Sequence, residues 1–433
     1  MLDVKFIREN IQLVQKAMRD KNREAVDLEQ VIELYDMRKE LRGELDELNR
    51  KRNIAAEARD IEEGRLLKEK AQQVEEKLRT GETELKKLLM QIPNIPSADT
   101  PVGPDESGNQ VIRTYGKPTE FDFEPKPHWD LGPALGLIDN ERAAKVSGAR
   151  FTYLLGDLAL LQFALVHFAF ETLTNIETLK KIAQDFTVEI PLENGFIPVV
   201  PPVLIKPSVL NAMARLDPPE DKYYLKEDDL YLAGSAEQSV GSRHSGEVLR
   251  ENELPLRYVG YSTCFRREAG SYGKDTKGIL RVHQFDKIEM ETFVKAEHAY
   301  KEQDFLVAIQ EYVMRELELP YQVVAVCTGD MGFPDHRQID IETWMPGQHT
   351  YRETHSADLI GTFQPRRLNT RVKTSTGDTE YVHMNDATLF AIGRTLIAIL
   401  ENYQTQEGEV RIPKVLQKYM GGKEKLTALT QGS

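Results

Sequence analysis

From about residue 28 to residue 91 the chain contains no proline and is built mainly from Glu, Lys, Arg, Leu and Ala. A stretch of that length and composition has few folded solutions other than long helix. Leu34, Leu41, Leu45, Leu48 and Ala55 follow one heptad seam, and Leu67, Ala71, Val74, Leu78, Leu85 and Leu88 follow a second. Apolar stripes at this spacing need another helix to cover them. Gly64 sits between the two runs and predicts a reversal, giving an antiparallel coiled-coil hairpin. At about 1.5 Å per residue, each arm would project tens of ångströms. Upstream, Val4, Ile7, Ile11, Val14 and Met18 recur at helical spacing behind Asp3, a candidate N-cap, so residues 3–20 predict an amphipathic helix. Downstream, the stretch 92–110, IPNIPSADTPVGPDESGNQ, ends the second helix and marks a boundary. The expected organisation is a helical domain over 1–100, carrying the arm at about 28–91, and a second domain over 101–433.

The second domain begins differently. Helix 157–186, containing LALLQFALVHFAFETL, is apolar on most sides and predicts a buried or interface helix. The segment GFIPVVPPVL at 195–204 follows, then YYLKEDDLYLAGSAEQ, YQVVAVCTGD and RQIDIETWMP, with helical runs at 295–317 and 390–404. Strands without regular βαβ alternation predict an α+β domain, a mixed, mainly antiparallel sheet flanked by helices. Neither GxGxxG nor GxxxxGK[ST] occurs, so Rossmann and P-loop nucleotide sites gain no support. Hydrophobic residues make up 40% of the chain, and no apolar run is expected to span a bilayer. The start, MLDVKFIREN, lacks the h-region of a secretory signal and the acid-poor composition of a transit peptide. Cys264 and Cys327 lie far apart without metal-ligand spacing, which fits a reduced cytoplasmic setting with both packed as small hydrophobes.

The net charge of −14 counts against a generic nucleic-acid coat, although binding depends on local basic surface. Near the tip and flanks of the arm, Arg50, Lys51, Arg52, Arg59, Arg65, Lys68 and Lys70 allow phosphate contacts but are interleaved with glutamates. The seams alone are those of a dimerisation coil or spacer as much as of an RNA-binding arm.

Residues 264–294, CFRREAGSYGKDTKGILRVHQFDKIEMETFV, read as two strands joined by a glycine-rich charged loop. Alternate side chains of a strand share a face, which groups Arg266 with Glu268, and Arg281 with His283, Phe285, Lys287 and Glu289. Such a face offers guanidinium groups for phosphate, a ring for stacking and carboxylates for an ammonium or metal. The loop AGSYGKDTKG suits a mobile lid over something anionic. A generic hairpin of this charge is otherwise a solvated, salt-bridged surface element.

CFRREAGS followed by GILRVHQFDKIEM resembles motif 2 of class II aminoacyl-tRNA synthetases in its seryl form. The segment 128–156 resembles that family's entry to the catalytic domain, the helix and strand ending at Pro201 and Pro202 resemble motif 1, and GRTLIAILENYQ resembles motif 3. The resemblance runs from the first helix to IPKVLQKYMGG at 412–422. It implies a ligase that joins L-serine to tRNA(Ser) through a seryl-adenylate, with serine loading of tRNA(Sec) as an extension. It further implies a homodimer, an arm that grips tRNA, and ATP and Mg²⁺ as cofactors. Neither DNA nor a membrane is expected as a partner.

The same resemblance implies roles for individual residues. Arg266 would hold the α-phosphate and the attacking carboxylate, Glu268 would lie near the adenine amino group or assist the loop, Phe285 would stack on adenine, and Arg281 would meet the outer phosphates. Arg394 corresponds to the motif 3 arginine, and Arg266, Glu268 and Arg394 form the expected catalytic set. Arg267, Val282, His283, Gln284, Thr354 and His355 complete the expected ATP-binding surface. Within YRETHSAD, Glu353 and Ser356 would ligate Mg²⁺, whose oxygen preference and retained waters they suit. His355 has no Cys/His cluster beside it, so zinc gains no support. For serine, the expected set is Ser235, Ala236, Glu237, Arg266, Glu289, Asp386 and Thr388. Two departures from the seryl pattern fall there. Ser235 replaces the usual threonine of a Thr-Ala-Glu triplet, and Asp386-Ala387-Thr388 replaces Asn-Gly-Ser, with Asn385 one place off.

Overall fold

The computed structural model describes residues 1–269 and 277–429, and the chain divides into two compact units, Met1–Pro96 and Ser97–Ser433. In the first unit the expected helix over 3–20 is two, Val4–Glu9 and Ile11–Asp20, broken at Asn10. Two long helices follow, α1 (Leu28–Glu57) and α2 (Ile61–Gln91), packed along each other as an antiparallel pair. Each starts at an aspartate cap. Asp27 accepts from the Gln30 amide and Asp60 from the Glu63 amide, both at 3.0 Å.

The reversal is not at Gly64. It falls at Ala58–Asp60, where Arg59 has φ +60°. The Asp60 cap, with Glu62 and Glu63 in the first turn complementing the helix dipole, starts α2 ahead of the glycine, and a single interior glycine costs only about 1 kcal/mol. Ala55, Leu67, Ala71, Val74 and Leu85 of the predicted seams are buried. The helices approach so closely at Gly81 that an added Cβ would stand 2.7 Å from Met37 Cε. Glu82 bridges to Arg38 at 2.9 Å and to Arg42 at 2.7 Å across the pair. At the base, Ile7, Val14, Met18, Leu28, Val31, Leu85 and Ile92 form one core.

The second unit is organised on eight strands: β1 (Gln110–Tyr115), β2 (Ile197–Val199), β3 (Leu256–Phe265), β4 (Gln284–Val294), β5 (Tyr321–Ala325), β6 (Arg337–Met345), β7 (Thr350–Gly361) and β8 (His383–Ala391). Their order is β1-β5-β6-β7-β8-β4-β3-β2, and only the β2–β3 pair is parallel. Helices α3 (Gly156–Thr174), α4 (Ile176–Asp185), α5 (Ala299–Glu316) and α6 (Ile392–Asn402) pack against this sheet or one another. Leu161, Leu165, Phe168, Ile309, Val313, Ile341, Ala357, Leu389 and Ile397 interlock there in one core. Removing their apolar surface from water is the main favourable term holding the layers together.

The single helix expected over 157–186 is broken at Asn175, whose side chain accepts from the Glu177 and Thr178 amides and so starts α4. By length and composition α3 could cross a membrane, contrary to the expectation. Eight of its apolar residues, from Leu158 to Leu173, are nonetheless packed in the core, while Leu160 and Phe163 stay about half exposed at 54% and 53%. Cys264 and Cys327 are buried and free, and burial pushes the Cys264 thiol up to about 12.

Candidate active site

The helices cover one face of the sheet, and polar side chains gather on the other. Strand alternation selects them. On β4, Lys287, Glu289 and Glu291 recur every second residue, and on β8 Asp386 and Thr388 do so. Register then sets the neighbours, with Glu289 across from Thr388 and Glu291 across from Asp386, which is itself across from Asp358 on β7.

Glu289 lies at the centre of one cluster. Its Oε1 accepts from Ser235 Oγ at 2.8 Å and from Thr388 Oγ1 at 3.3 Å, and it is in close contact with Lys287 Nζ. Lys287 also donates to Ser235 Oγ at 3.4 Å. Glu289 Oε2 is buried without a hydrogen-bond partner, so the arrangement holds one carboxylate oxygen ready for a donor. Ala236 is fully buried at the start of the short helix Glu237–Val240 and presents no side chain to the cluster's polar groups. Glu237 Oε1 receives Arg215 Nε at 2.5 Å. Burial works against the Glu237 charge, but Arg215, Lys287 and Arg266 outweigh it and hold the carboxyl below its usual range.

Arg266 follows β3, and its amide donates to the His283 carbonyl at 3.0 Å, extending the pairing with β4 beyond the strands. Its Nε donates to the Gly234 carbonyl at 3.1 Å and its guanidinium lies 5.4 Å from the Phe285 ring centre. Glu268 is not extended as alternation implies. Its φ of +52° turns the chain, and its carboxylate meets Arg281 Nη1 at 3.3 Å. Arg267 turns away, donating to the Lys222 carbonyl and lying over Tyr223 at 4.7 Å. His283 packs between Phe151 and Tyr223, with Nδ1 3.0 Å from the Arg266 carbonyl, and Gln284 is exposed. Val282 is 7% exposed and packs in the apolar core, and it also lines a cavity with Gln284, Phe285 and Gly393. The expected lid falls mostly on residues 270–276, outside the described residues.

On β7 the alternation contains an extra residue. His355 pairs with Ile341 and Glu353 with Glu342, which leaves Thr354 as a bulge. Glu353 and Ser356, three positions apart, therefore share a face, opposite Glu342 and Asp340 respectively. Thr354 and His355 both turn into the core at 1% exposure, so their side chains leave the expected ATP surface. His355 Nδ1 bonds Thr354 Oγ1 at 2.8 Å, and burial depresses its imidazole to about 3. Glu353 stays half exposed and pairs with Arg394 Nη1 at 3.1 Å, in the first turn of α6.

Mg²⁺ fits this face. Asp340 and Glu342 are pushed up by burial and then by the neighbouring Glu353 charge, a strain that a divalent cation relieves. No group of three or more His, Cys, Asp or Glu among the described residues forms a metal cage. An ion held by Glu353 and Ser356 would thus take its remaining oxygens from phosphate and water.

Sequence reading did not single out Arg215, Glu291, Asp358 or His128. Arg215 lies in ARLDPPED, which reads as an ordinary loop. Alternation groups Lys287 with Glu289 without assigning it to a subsite, and that two-residue spacing is the signal for the contact the structure shows between them.

The family model for the seryl-tRNA synthetase N-terminal domain matches residues 1–96, and that for the tRNA synthetase class II core domain (G, H, P, S and T) matches residues 223–403. The chain is similar to the serine–tRNA ligase of Thermotoga maritima, 42% identical over 97% of this chain and 99% of that one. It is similar to the serine–tRNA ligase of Bacillus cereus, 40% identical over 98% and 99%. Among solved structures it resembles the seryl-tRNA synthetase from Pyrococcus horikoshii complexed with ATP, with a TM-score of 0.86 and 35% identity over 99% of this chain and 100% of that one.

Proposed function

The chain belongs to the seryl-tRNA synthetase family, and on that premise we propose that it joins L-serine to tRNA(Ser) in two steps at the sheet face. In the first, the serine carboxylate attacks the α-phosphorus of ATP, an O–P bond forms, and pyrophosphate leaves. In the second, a ribose hydroxyl at the tRNA terminus attacks the carbonyl of seryl-adenylate and AMP leaves. The observation that carries this reading is the Glu289 cluster. Ser235, Thr388 and Lys287 fix one carboxylate oxygen, and the buried second oxygen is left to accept a donor. A site that hydrogen-bonds a hydroxyl rejects analogues lacking it.

In this reading Glu237 receives the substrate ammonium, and Arg266 holds the two anions together against their repulsion. Bringing an anion to a polyanion needs fixed positive charge more than a side-chain nucleophile. Phe285 forms the stacking surface for adenine, Arg281 and Arg394 meet the phosphates, and Glu268 orients Arg281 through their 3.3 Å contact. Mg²⁺, when bound at Glu353 and Ser356, neutralises phosphate charge. Ser235 keeps the hydroxyl function of the family's threonine, since its 2.8 Å bond to Glu289 needs no methyl. Asp386 faces Arg215 at 3.9 Å, and burial followed by the Glu237 and Asp358 charges pushes its carboxyl well above the usual range, so it brings little negative charge to the ammonium.

The unit over 1–96 is read as the tRNA-gripping domain and the remainder as the catalytic domain, with tRNA(Sec) as a second acceptor and the cytoplasm as the site of action. Homodimer formation is supported by the exposed Leu160, Phe163, Ile197 and Val200 around α3 and β2. A solution mass equal to one chain would sink that part. The test of the chemistry is ATP–pyrophosphate exchange with serine, threonine, alanine, glycine and cysteine in turn. Exchange with serine, abolished in Arg266→Ala, is expected. Exchange with another amino acid and not serine would refute the substrate assignment.

A further inference from the structure

Beneath the Glu289 cluster the sheet does something costly. Glu291, Asp386 and Asp358 stand side by side on β4, β8 and β7 as direct cross-strand partners, a placement that like charges ordinarily oppose. Asp335 and Glu237 join them from outside these strands, and all five residues are more than nine-tenths buried. The Arg215 guanidinium lies among four of them. Arg215 Nε donates to Glu237 Oε1 at 2.5 Å, and Nη2 lies 3.6 Å from Asp335, 3.7 Å from Asp358 and 3.9 Å from Asp386.

The distances separate two kinds of contact. Only Glu237 is within hydrogen-bond length, while the three aspartates stand around Arg215 at longer range, and burial followed by the neighbouring carboxylates pushes the Asp358 and Asp386 carboxyls well above their usual range. Burial opposes the Arg215 charge, yet the surrounding carboxylates, Glu237 first, hold it far above its ordinary range. The backbone is shaped to bring it there. Ala214 adopts φ +57° just past the helix Pro207–Ala212. Gly332 leaves the needed space, since a Cβ there would stand 2.1 Å from Asp335 Oδ2 and 3.2 Å from Arg215 Nη1.

We propose that Arg215 is a positioning residue for amino-acid recognition, fixing the plane of the Glu237 carboxylate that receives the substrate ammonium while offsetting the aspartates that would otherwise repel Glu237 from that place. The proposal rests on the reading of Glu237 given above. A planar fork suits it, because a single guanidinium bonds one carboxylate and still faces others, which an ammonium at the end of a flexible stem does less well. Arg215 touches neither substrate and acts through Glu237 alone.

The test is ATP–pyrophosphate exchange with Arg215→Met, Arg215→Lys and the double variant Arg215→Met/Asp386→Asn. In Arg215→Met the KM for serine is expected to rise about tenfold or more while the KM for ATP stays within about twofold. Arg215→Lys should fall between the parent and Arg215→Met. The double variant removes one of the acids packed against Glu237 and Arg215, so it should recover several-fold of the lost serine affinity. An unchanged serine KM in Arg215→Met overturns the proposal. So does a parallel rise in both KM values, which a merely structural role would give, or a double variant no better than the single one. Should Arg215→Met not fold, the lysine variant carries the same split in KM. If the parent exchanges with a different small amino acid, the serine assignment falls while the Arg215 split is read on that amino acid.

Discussion

His128 is the perturbation from which the architecture gives the clearest number. Its ring is fully buried, with Nδ1 2.9 Å from Glu401 Oε1 and Nε2 accepting the Ile279 amide at 3.2 Å. This network assigns the neutral tautomer with the proton on Nδ1. The chain passes so close to the ring that a Cβ on Gly278 would be 2.0 Å from Nε2. Glu401 also accepts from the His128 amide at 3.1 Å, the Gly347 amide at 3.0 Å and Gln348 Nε2 at 2.9 Å. His128→Leu keeps most of the volume and removes both ring contacts. Losing a hydrogen bond to a charged acceptor costs about 1.5–3 kcal/mol, and orphaning the buried Ile279 amide costs about 1–3 kcal/mol. The sum is about 2.5–6 kcal/mol, to be read as a shift of the urea midpoint at unchanged m-value. Ile279 lies two residues before Arg281 in the turn ahead of β4, so loosening that turn should also raise the KM for ATP several-fold and leave that for serine nearly unmoved. A destabilisation below about 1 kcal/mol would refute the bond accounting. Equal movement of the two KM values would refute the link to Arg281.

Three further outcomes are expected. Ser235→Ala removes the 2.8 Å bond to Glu289 and should raise the serine KM about tenfold, roughly the worth of one charged hydrogen bond, whereas Ser235→Thr should retain parental values; exchange kinetics decide. His355 is held near 3 by burial against an ordinary 6.5, so the unfolded chain binds its proton first. That contribution to stability is whole above pH 6.5 and fades as pH falls towards about 3, by up to about 1.4 kcal/mol per pH unit. His355→Gln should flatten this slope in urea titrations between pH 7 and 5, and identical slopes would count against it. Deleting about residues 30–90 should spare serine-dependent exchange and cripple transfer to tRNA, while equal loss of both would make the arm structural.

Long-period patterns were legible in the sequence because geometry enforces them over many residues. The seams through Leu67, Ala71 and Val74 specified the paired helices, and alternation through Lys287 and Glu289 specified one face of a strand. Local exceptions were not legible. An aspartate cap at Asp60 displaced the turn from Gly64, and Asn175 divided a helix whose apolar pattern ran straight through. Arg215 and His128 were hidden for a different reason. Their partners lie far away in sequence, Asp386 for the one and Glu401 for the other, and no single-chain periodicity joins such pairs before the sheet sets its register.

The bulge at Thr354 carries a consequence for how β7 is to be altered. It acts as a phase slip. Ahead of it odd-numbered residues look towards the polar face, and beyond it even-numbered ones do, as Glu353, Ser356 and Asp358 show. A substitution scan along 350–359 should therefore record tolerance and intolerance in a two-beat rhythm that skips once, at 354–355. Deleting Thr354 would remove the slip and still leave Glu353 and Ser356 on a common face, since two-residue spacing is then met without correction. The extra residue is thus a spacer lodged in the core, and the shared face of Glu353 and Ser356 is insulated from it.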